Sequence, residues 1–337
     1  MKKNIGIKEI ADILNISVST VSRALRDTYD VNPETRNRVL ELAKELNFKP
    51  NKNAAALASG STKNIGIVIP FITNYYFSTV ISGIQEQAYE SGYNVILYVT
   101  NDNAERERDL LENLAITSLD GLLISISSDS LLEDHFERLR NDGVPIVFFD
   151  RAPMNSTASK VLQDDFQGAY EATNYLIKHG YSRIAHIAGP KELKFTQQRL
   201  NGYLKALEQH RLPVRSDYII HSGFSQNNGS EDTEKLLGLT QRPDAIFAVN
   251  DRKAVGAILT LKQHHIQVGA EVGVIGFTND PIASVVEPNL TTIEEPAFEI
   301  GKRSCELLIK HIKNRNYESK DVILPGRLIV RDSVSFQ

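Results

Sequence analysis

Hydrophobic residues near the N-terminus recur at the spacing of two short helices. The first helix would bury one apolar face, made of Ile7, Ile10, Ala11 and Leu14. Asn15 tolerates the left-handed conformation that ends a helix, and Ser17 is a natural N-cap for the next helix. That second helix turns an apolar side inward, at Val21, Ala24 and Leu25. Two helices joined in this way predict a helix-turn-helix, whose second helix lies in the DNA major groove.

The next apolar stretch, residues 34–46, predicts a third helix that completes a small core. Asn32 is a suitable N-cap, and Pro33 suits the first helical position. Asn47 can end the helix, and Pro50 blocks its continuation. The positions that would close this three-helix core are Val39, Leu42, Ala43 and Leu46.

Residues 51–62 form a short polar and alanine-rich segment. Alanine favours helix, but the stretch is too short to make a stable helix by itself. Gly60 and Ser61 indicate a flexible joint. The segment is therefore either a hinge that becomes helical only when something holds it, or a plain linker.

From residue 63 onward, short apolar strands alternate with amphipathic helices. A first series of strands runs from 65–69 to 145–149, and a second series runs from 160–163 to 272–276. Continuous apolar strands between helices indicate parallel sheets that are covered on both faces. The sequence therefore predicts an α/β body of two doubly wound lobes. Because ligands of such folds bind at the carboxyl ends of the strands, the two lobes can enclose a ligand in a cleft.

Charge divides the chain into a small basic part and a larger acidic part. Residues 1–63 hold 11 Lys and Arg against 7 Asp and Glu, whereas the remaining residues hold 27 against 35. This asymmetry suits contact between DNA phosphates and the N-terminal part only. A statistical fluctuation of surface charge is the other interpretation.

Several classes of protein are disfavoured by composition. Cys305 is the single cysteine, so an internal disulfide is excluded, and no metal-ligand spacing or cofactor motif is present. The N-terminus lacks an apolar signal-peptide core, and no run of about 18 apolar residues predicts a membrane span. We therefore expect a cytoplasmic protein without a metal, a cofactor or a membrane partner.

The sequence IKEIADILNISVSTVSRALR, followed by VNPETRNRVLELAKELNFKPN, resembles the DNA-binding headpiece of the lactose-repressor (LacI/GalR) family of bacterial regulators. The resemblance extends from Ile7 to Arg331. It implies a headpiece at residues 1–50, a hinge helix at 51–62 and an effector-binding, dimer-forming body at 63–337. The body would resemble periplasmic sugar-binding proteins, with one lobe at about 63–161 and 293–323 and the other at about 162–292 and 324–337. A homodimer is implied, because the C-terminal heptad segment of tetrameric members is absent.

The resemblance also implies which residues contact a near-palindromic double-stranded operator. The hinge helix of the family lies in the minor groove, and Leu57 matches the leucine that is wedged between base pairs there. Arg23 faces the major groove and can donate two hydrogen bonds to guanine. The full set that is expected at DNA is Ser17, Val18, Ser19, Thr20, Ser22, Arg23, Asn51, Ala54 and Leu57.

Candidate effector contacts lie at the ends of predicted strands. Arg199 lies in a segment that resembles the effector-contacting arginine segment of the family, and Asn250 matches the family's Ala-Asn-Asp motif. Aromatic side chains suit the apolar faces of sugar or base rings. The full set expected in the cleft is Tyr76, Phe77, Asp150, Arg199, Phe224, Asn250 and Thr278.

Thr278 departs from the family pattern, because sugar-binding members usually carry Asp there. With one carboxylate fewer, the guanidinium of Arg199 would be available to an anion, so an anionic sugar derivative is expected over a neutral hexose. Glu295 likewise replaces a common Gln. Each of the cleft candidates can also be read as a helix cap or a solvated loop residue.

No catalytic constellation is present in the sequence. The pair Asp164 and Asp165 precedes a predicted helix at 167–179, where Asp165 is expected in the N-cap region, and Asp164 could reach the cleft. We therefore expect a DNA-binding transcription regulator, a repressor controlled by a small-molecule effector, and not an enzyme. The alternative is a free-standing sugar-binding protein without DNA binding.

Overall fold

The computed structural model describes residues 6–25, 31–48, 61–114, 118–128, 134–153 and 155–335. Contacts between Cα atoms divide the chain into two compact units, Met1–Thr62 and Lys63–Gln337. We call the first unit the headpiece and the second the body.

The headpiece contains three helices around a small apolar core. The helices are α1 (Ile7–Leu14), α2 (Val18–Leu25) and α3 (Pro33–Glu45). Ile10, Val21 and Val39, one from each helix, are fully buried and pack together. The three-helix core predicted from the spacing of apolar residues is therefore present.

Polar residues begin and end these helices at the expected places. Asn15 has φ 51°, the left-handed conformation that ends α1. The Ser17 hydroxyl accepts a hydrogen bond of 3.1 Å from the Thr20 amide at the start of α2. The Asn32 side chain accepts a bond of 2.8 Å from the Glu34 amide at the start of α3. The turn between α1 and α2 is thus set by local sequence.

The body alternates strands and helices along the chain. Its first part contains β1 (Asn64–Ile69), α4 (Tyr75–Glu90), β2 (Asn94–Val99), α5 (Ala104–Asn113), β3 (Gly121–Ile124), α6 (Asp134–Asn141), β4 (Ile146–Phe149) and β5 (Ser159–Gln163). Its second part contains α7 (Asp165–Lys178), β6 (Ile184–Ala188), α8 (Lys194–Gln209), β7 (Ile219–His221), α9 (Gln226–Leu237), β8 (Ala245–Ala248), α10 (Asp251–Gln263), β9 (Gly273–Thr278) and β10 (Thr291–Glu294). The chain ends with α11 (Ala297–Lys313), β11 (Asp321–Leu324) and β12 (Arg327–Ile329).

These strands form two six-stranded sheets, and each sheet is the centre of one lobe. The first sheet has the order β11-β5-β4-β3-β1-β2 and is parallel throughout. The second has the order β12-β10-β9-β8-β6-β7, and its edge strand β12 pairs antiparallel with β10. The prediction of two doubly wound lobes is confirmed, with the correction that the second sheet is mixed.

The predicted lobe was wrong for two short segments of the body. β5, expected to open the second lobe, pairs with β4 in the first sheet, because the chain crosses between lobes only after this strand. Ile293, expected to return to the first lobe, lies in β10 of the second sheet, so that return comes after Glu294. The apolar pattern of a buried strand does not identify the sheet that it joins.

The chain crosses between the lobes three times, and the three crossings pack closely together. Gly326 lies on the last of them. A Cβ atom there would lie 2.7 Å from Gln163 Nε2 and 3.0 Å from the Glu294 carbonyl oxygen, which belong to the other two crossings. A side chain at this position would therefore push the crossings apart. Among the residues that the structure describes, no helix is long and apolar enough to cross a membrane.

Candidate DNA-reading face and inter-lobe effector site

The outer face of α2 presents an apolar side chain, hydroxyls and a guanidinium. Val18 is 40% exposed, and Ser17, Ser19 and Arg23 are exposed as well. The Ser17 hydroxyl lies 2.8 Å from the Ser19 hydroxyl and 2.7 Å from that of Thr20. Arg23 Nε donates to the Ser19 carbonyl over 3.3 Å, which orients the guanidinium along the helix.

This arrangement places the predicted base-contacting residues on one surface of the headpiece. Thr20 and Ser22 are half-buried beside the exposed positions. The remaining candidates, Asn51, Ala54 and Leu57, lie outside the described residues, so the hinge assignment stays a prediction.

A cavity of about 400 Å³ lies between the two lobes, at the carboxyl ends of their strands. We call it the effector cavity. It is lined by all seven residues that the sequence indicated, namely Tyr76, Phe77, Asp150, Arg199, Phe224, Asn250 and Thr278. The structure therefore brings together residues that are separated by up to two hundred positions along the chain, while their role in binding stays a prediction.

Arg199 is buried at the base of the effector cavity, and its donors already have partners. Its Nε donates to Asp165 over 2.8 Å, its Nη1 to the Val249 carbonyl over 2.6 Å, and its Nη2 to Glu295 over 2.7 Å. The guanidinium also lies 3.6 Å from the centre of the Phe277 ring. The expectation that Arg199 would be available to an anion is wrong, because two carboxylates hold it in place.

The two neighbouring aspartates after β5 both lie in the N-cap region of α7, and Asp164 rather than Asp165 is the cap itself. Asp164 is the N-cap of α7, where its side chain accepts a bond of 2.9 Å from the Gln167 amide. Asp165 is the first residue of the helix and turns to Arg199. Burial raises the pKa of Asp165 to about 7 against the opposing effect of Arg199.

Asp150 follows β4 and contributes a half-buried carboxylate, on a strained backbone, to the cavity. Its φ is 58°, a left-handed conformation that Asp tolerates better than most residues. Its carboxylate accepts a bond of 3.1 Å from the Ser125 hydroxyl, and Arg151 Nε lies 3.7 Å away. Burial raises the pKa of Asp150 to about 6. Tyr76 is also buried, and its hydroxyl has no hydrogen-bond partner among the described residues.

Phe224 and Asn250 support each other on the second lobe. Asn250 caps α10, where its side chain accepts a bond of 2.9 Å from the Lys253 amide, and it donates to the Phe224 carbonyl over 3.1 Å. The Phe224 ring stacks on Phe195, with ring centres 5.6 Å apart. Asn250 therefore caps a helix, which was the alternative interpretation of this residue, and it also lines the effector cavity.

Thr278 ends β9 with φ 126°, a conformation that β-branched residues rarely adopt. Hydrogen bonds to buried or half-buried carboxylates help to hold the loop that follows. The Asp280 amide donates to buried Asp251 over 2.7 Å, and Asn279 donates to Glu294 over 2.9 Å. Burial raises the pKa of Asp251 to about 7. The strained backbone is thus fixed by its surroundings and presents Thr278 to the cavity.

Several cavity residues were missed by sequence reasoning. Asp102 accepts a bond of 2.7 Å from Arg151, a pair that joins two different strand ends. Phe195 lies in the first turn of α8, which begins at Lys194. The missed lining residues include Asp102, Phe195 and Arg252. For Phe195, the available signal in the sequence was an aromatic residue at the start of a helix.

The geometry defines a class of protein. A helix-turn-helix unit with an exposed reading helix is joined in one chain to a two-lobed body whose cleft is aromatic and polar. Among the described residues, no cluster of side chains could hold a metal ion. This combination is that of a DNA-binding regulator whose body binds a small molecule.

Comparisons with known proteins agree with this class. Residues 6–51 match the model of bacterial regulatory proteins of the lacI family, and residues 173–334 match that of a periplasmic binding protein-like domain. The HTH-type transcriptional repressor PurR of Vibrio parahaemolyticus is 33% identical, over 97% of this chain and 98% of that protein. Catabolite control protein A of Priestia megaterium is also 33% identical, over 98% and 99%. The chain therefore belongs to the lacI family of bacterial transcription regulators.

Solved structures show the same architecture. The lac repressor dimer bound to operator and the anti-inducer ONPF matches with a TM-score of 0.86 at 23% identity, over 99% of this chain and 100% of that one. The CelR–cellobiose complex matches with a TM-score of 0.75 at 26% identity, over 98% and 99%. A ribose-bound regulator from Enterococcus faecium matches with a TM-score of 0.71 at 29% identity, over 81% and 98%. These relatives are regulators rather than enzymes.

Proposed function

We propose that this regulator binds a small polyhydroxylated effector, a sugar or sugar derivative, in the effector cavity. The observation that carries the proposal is the composition of the cavity wall. Aromatic rings from both lobes supply flat apolar faces, and Asp150, Asn228 and Thr278 supply acceptors and donors for hydroxyl groups. The Tyr76 hydroxyl, which has no partner within the described parts of the chain, is a further group that a ligand hydroxyl could satisfy.

Charge in the effector cavity favours a neutral ring. Asp102, Asp150 and Glu295 line it together with Arg151, Arg199 and Arg252, so the formal charges cancel. Arg199 is already paired with two carboxylates. An anionic group therefore finds no unpaired guanidinium at the position of Arg199.

On the DNA side, we propose that α2 reads bases through Val18, Ser19 and Arg23, with Ser17, Thr20 and Ser22 beside them. Asn51, Ala54 and Leu57 are proposed to contact the minor groove. The named lac repressor neighbour is a dimer on its operator. A homodimer that reads two half-sites in the cytoplasm, without catalytic activity, is the corresponding proposal for this chain.

The test joins both sites in one experiment. Operator DNA is selected from a random library by the full-length protein, and a panel of neutral sugars is screened by thermal shift. We expect a near-palindromic operator and at least one sugar that changes its affinity. Phe224→Ala should remove the response to that sugar but keep operator binding. If no sugar in the panel stabilises the protein, the proposed effector class is wrong.

A further inference from the structure

A second cavity, of about 570 Å³, adjoins the effector cavity and is also lined by both lobes. We call it the side compartment. Asp150, Arg151 and Phe195 line both cavities. The Arg151 guanidinium lies 5.7 Å from the centre of the Phe195 ring, so one side chain from each lobe forms the partition between the two spaces.

Two lysines bring positive charge to the side compartment from opposite lobes. Lys160 lies on β5 and is only 9% exposed. Its ammonium group makes no ion pair or hydrogen bond within the described part of the chain. Lys194, the first residue of α8, lines the compartment and is exposed. Lys160 Nζ is not among the buried atoms that lack a partner, so the ammonium group opens to the compartment, where an anion would supply a partner.

The start of α8 adds donors at the same place. Leu193 occupies the N-cap position, and no side chain that the structure describes caps the helix, which is 16 residues long. Leu193, Lys194 and Phe195 all line the side compartment. Amide groups at an uncapped helix N-terminus, together with the helix dipole, favour a negatively charged group.

Other buried polar groups of this cavity wall also lack partners. Gln163 is 7% exposed, and neither its amide nitrogen nor its amide oxygen has a hydrogen-bond partner among the described residues. Arg151 Nε likewise has none, and Asp150 Oδ2 lies 3.7 Å from it. Buried polar groups are normally satisfied, so these residues indicate a site whose ligand supplies the remaining bonds.

Four carboxylates line the compartment as well, and three of them are engaged. Asp150 pairs with Ser125 and Arg151, Asp164 caps α7, and Asp165 holds Arg199. Glu192 is exposed and has no ion pair within the described residues. By formal charge, Arg151, Lys160 and Lys194 nearly balance the four carboxylates, so the attraction for an anion is local to the two lysines and the start of α8.

We propose that the side compartment binds a phosphate or carboxylate group between Lys160, Lys194 and the start of α8. As a deepening of the proposed function, on which this part rests, the ring of the effector lies in the effector cavity and its anionic group lies beyond the partition. Because Lys160 belongs to the first lobe and α8 to the second, the bound anion ties the lobes together. It thereby favours one angle between them.

Calorimetric titration of the full-length protein tests the proposal, with inorganic phosphate as a probe that needs no ring. A second arm compares the best neutral sugar of the screen with its phosphorylated and uronic acid forms. We expect phosphate to bind, and the anionic sugars to bind roughly tenfold to a hundredfold more tightly than the neutral one, as charge-assisted bonds would give. If phosphate binds in a Lys160-dependent way but the anionic sugars bind no more tightly than the neutral one, the ligand of the compartment is a separate anion. If the anionic sugars bind more tightly, the ligand is the anionic group of the effector itself.

Matched variants show whether the named residues cause the effect. Lys160→Met should abolish the extra affinity for anionic sugars, and Lys160→Arg should retain it. Glu192→Gln should increase this extra affinity, because it removes a charge of the same sign as the ligand. Lys194→Met, at an exposed position where substitutions usually change stability little, should weaken binding of the anion as well. Lys310→Met, on the exposed side of α11, is the control and should change nothing.

The proposal is overturned if phosphate and anionic sugars bind no better than the neutral sugar, or if Lys160→Met and Lys194→Met behave like Lys310→Met. If phosphate binding depends on Lys160 but no sugar changes the affinity for operator DNA, the proposed effector function is refuted and the anion site is not.

Discussion

Replacing Arg199 by methionine should destabilise the body by about 3–5 kcal/mol, the usual cost of removing one partner from a buried ion pair. The side chains of Arg199, Asp165 and Glu295 are 6%, 10% and 6% exposed. Truncation leaves two buried carboxylates without their cation and also removes the contact with Phe277. At roughly 2–4 °C per kcal/mol for a domain of 150–250 residues, the melting temperature should fall by about 10 °C.

Arg303 provides a matched control for this measurement. It also faces two carboxylates, Glu299 at 3.8 Å and Glu306 at 2.9 Å, but its side chain is 53% exposed. Arg303→Met should therefore cost less than about 1 kcal/mol. The comparison separates the effect of burial from that of losing an arginine with two acidic partners.

Differential scanning calorimetry of the full-length protein supplies the assay. The loss of melting temperature in Arg199→Met should shrink as the pH falls from 8 to 5.5, because Asp165, whose pKa burial already raises to about 7, then takes up a proton. The triple variant Arg199→Met, Asp165→Asn, Glu295→Gln should recover most of the loss, since no buried charge remains. The buried-charge reasoning would be refuted if Arg199→Met lost no more melting temperature than Arg303→Met, or if its loss did not change with pH.

Further predictions concern DNA, packing and pH. Arg23→Ala should weaken operator binding by roughly 1–3 kcal/mol while non-specific DNA binding changes little, as measured by fluorescence anisotropy; equal losses on both would make Arg23 a phosphate contact. Gly301→Ala should destabilise the body by about 1–3 kcal/mol in urea unfolding, because a Cβ atom there would lie 2.0 Å from the Val80 carbonyl oxygen; an unchanged midpoint would contradict the close approach of α4 and α11. Asp251 has a pKa of about 7 in the fold against 3.8 as its ordinary value, so its contribution to stability is present below pH 4 and is lost as the pH rises through 7. Asp251→Asn should therefore gain in melting temperature relative to wild type between pH 5 and pH 8, and a constant difference would count against this.

Local patterns were sufficient for the headpiece. Its caps, turn and apolar spacing act over three or four residues, and the structure shows Asn15, Ser17 and Asn32 in the expected places. The alternation of apolar strands and helices was likewise sufficient for two doubly wound lobes, because each buried strand carries its own hydrophobic signal. Positions at strand ends, together with the family resemblance, then indicated seven of the residues that line the effector cavity.

Tertiary structure alone decided how these residues are used. Sequence reasoning left Arg199 available to an anion, whereas packing of the three crossings places Asp165 and Glu295 against it. It placed β5 in the wrong lobe, because sheet membership depends on pairing with distant strands. The side compartment arises only where Lys160 and the start of α8 meet from different lobes. Short-range rules act along the chain, while the partners of a buried charge come from segments that only the completed fold brings into contact.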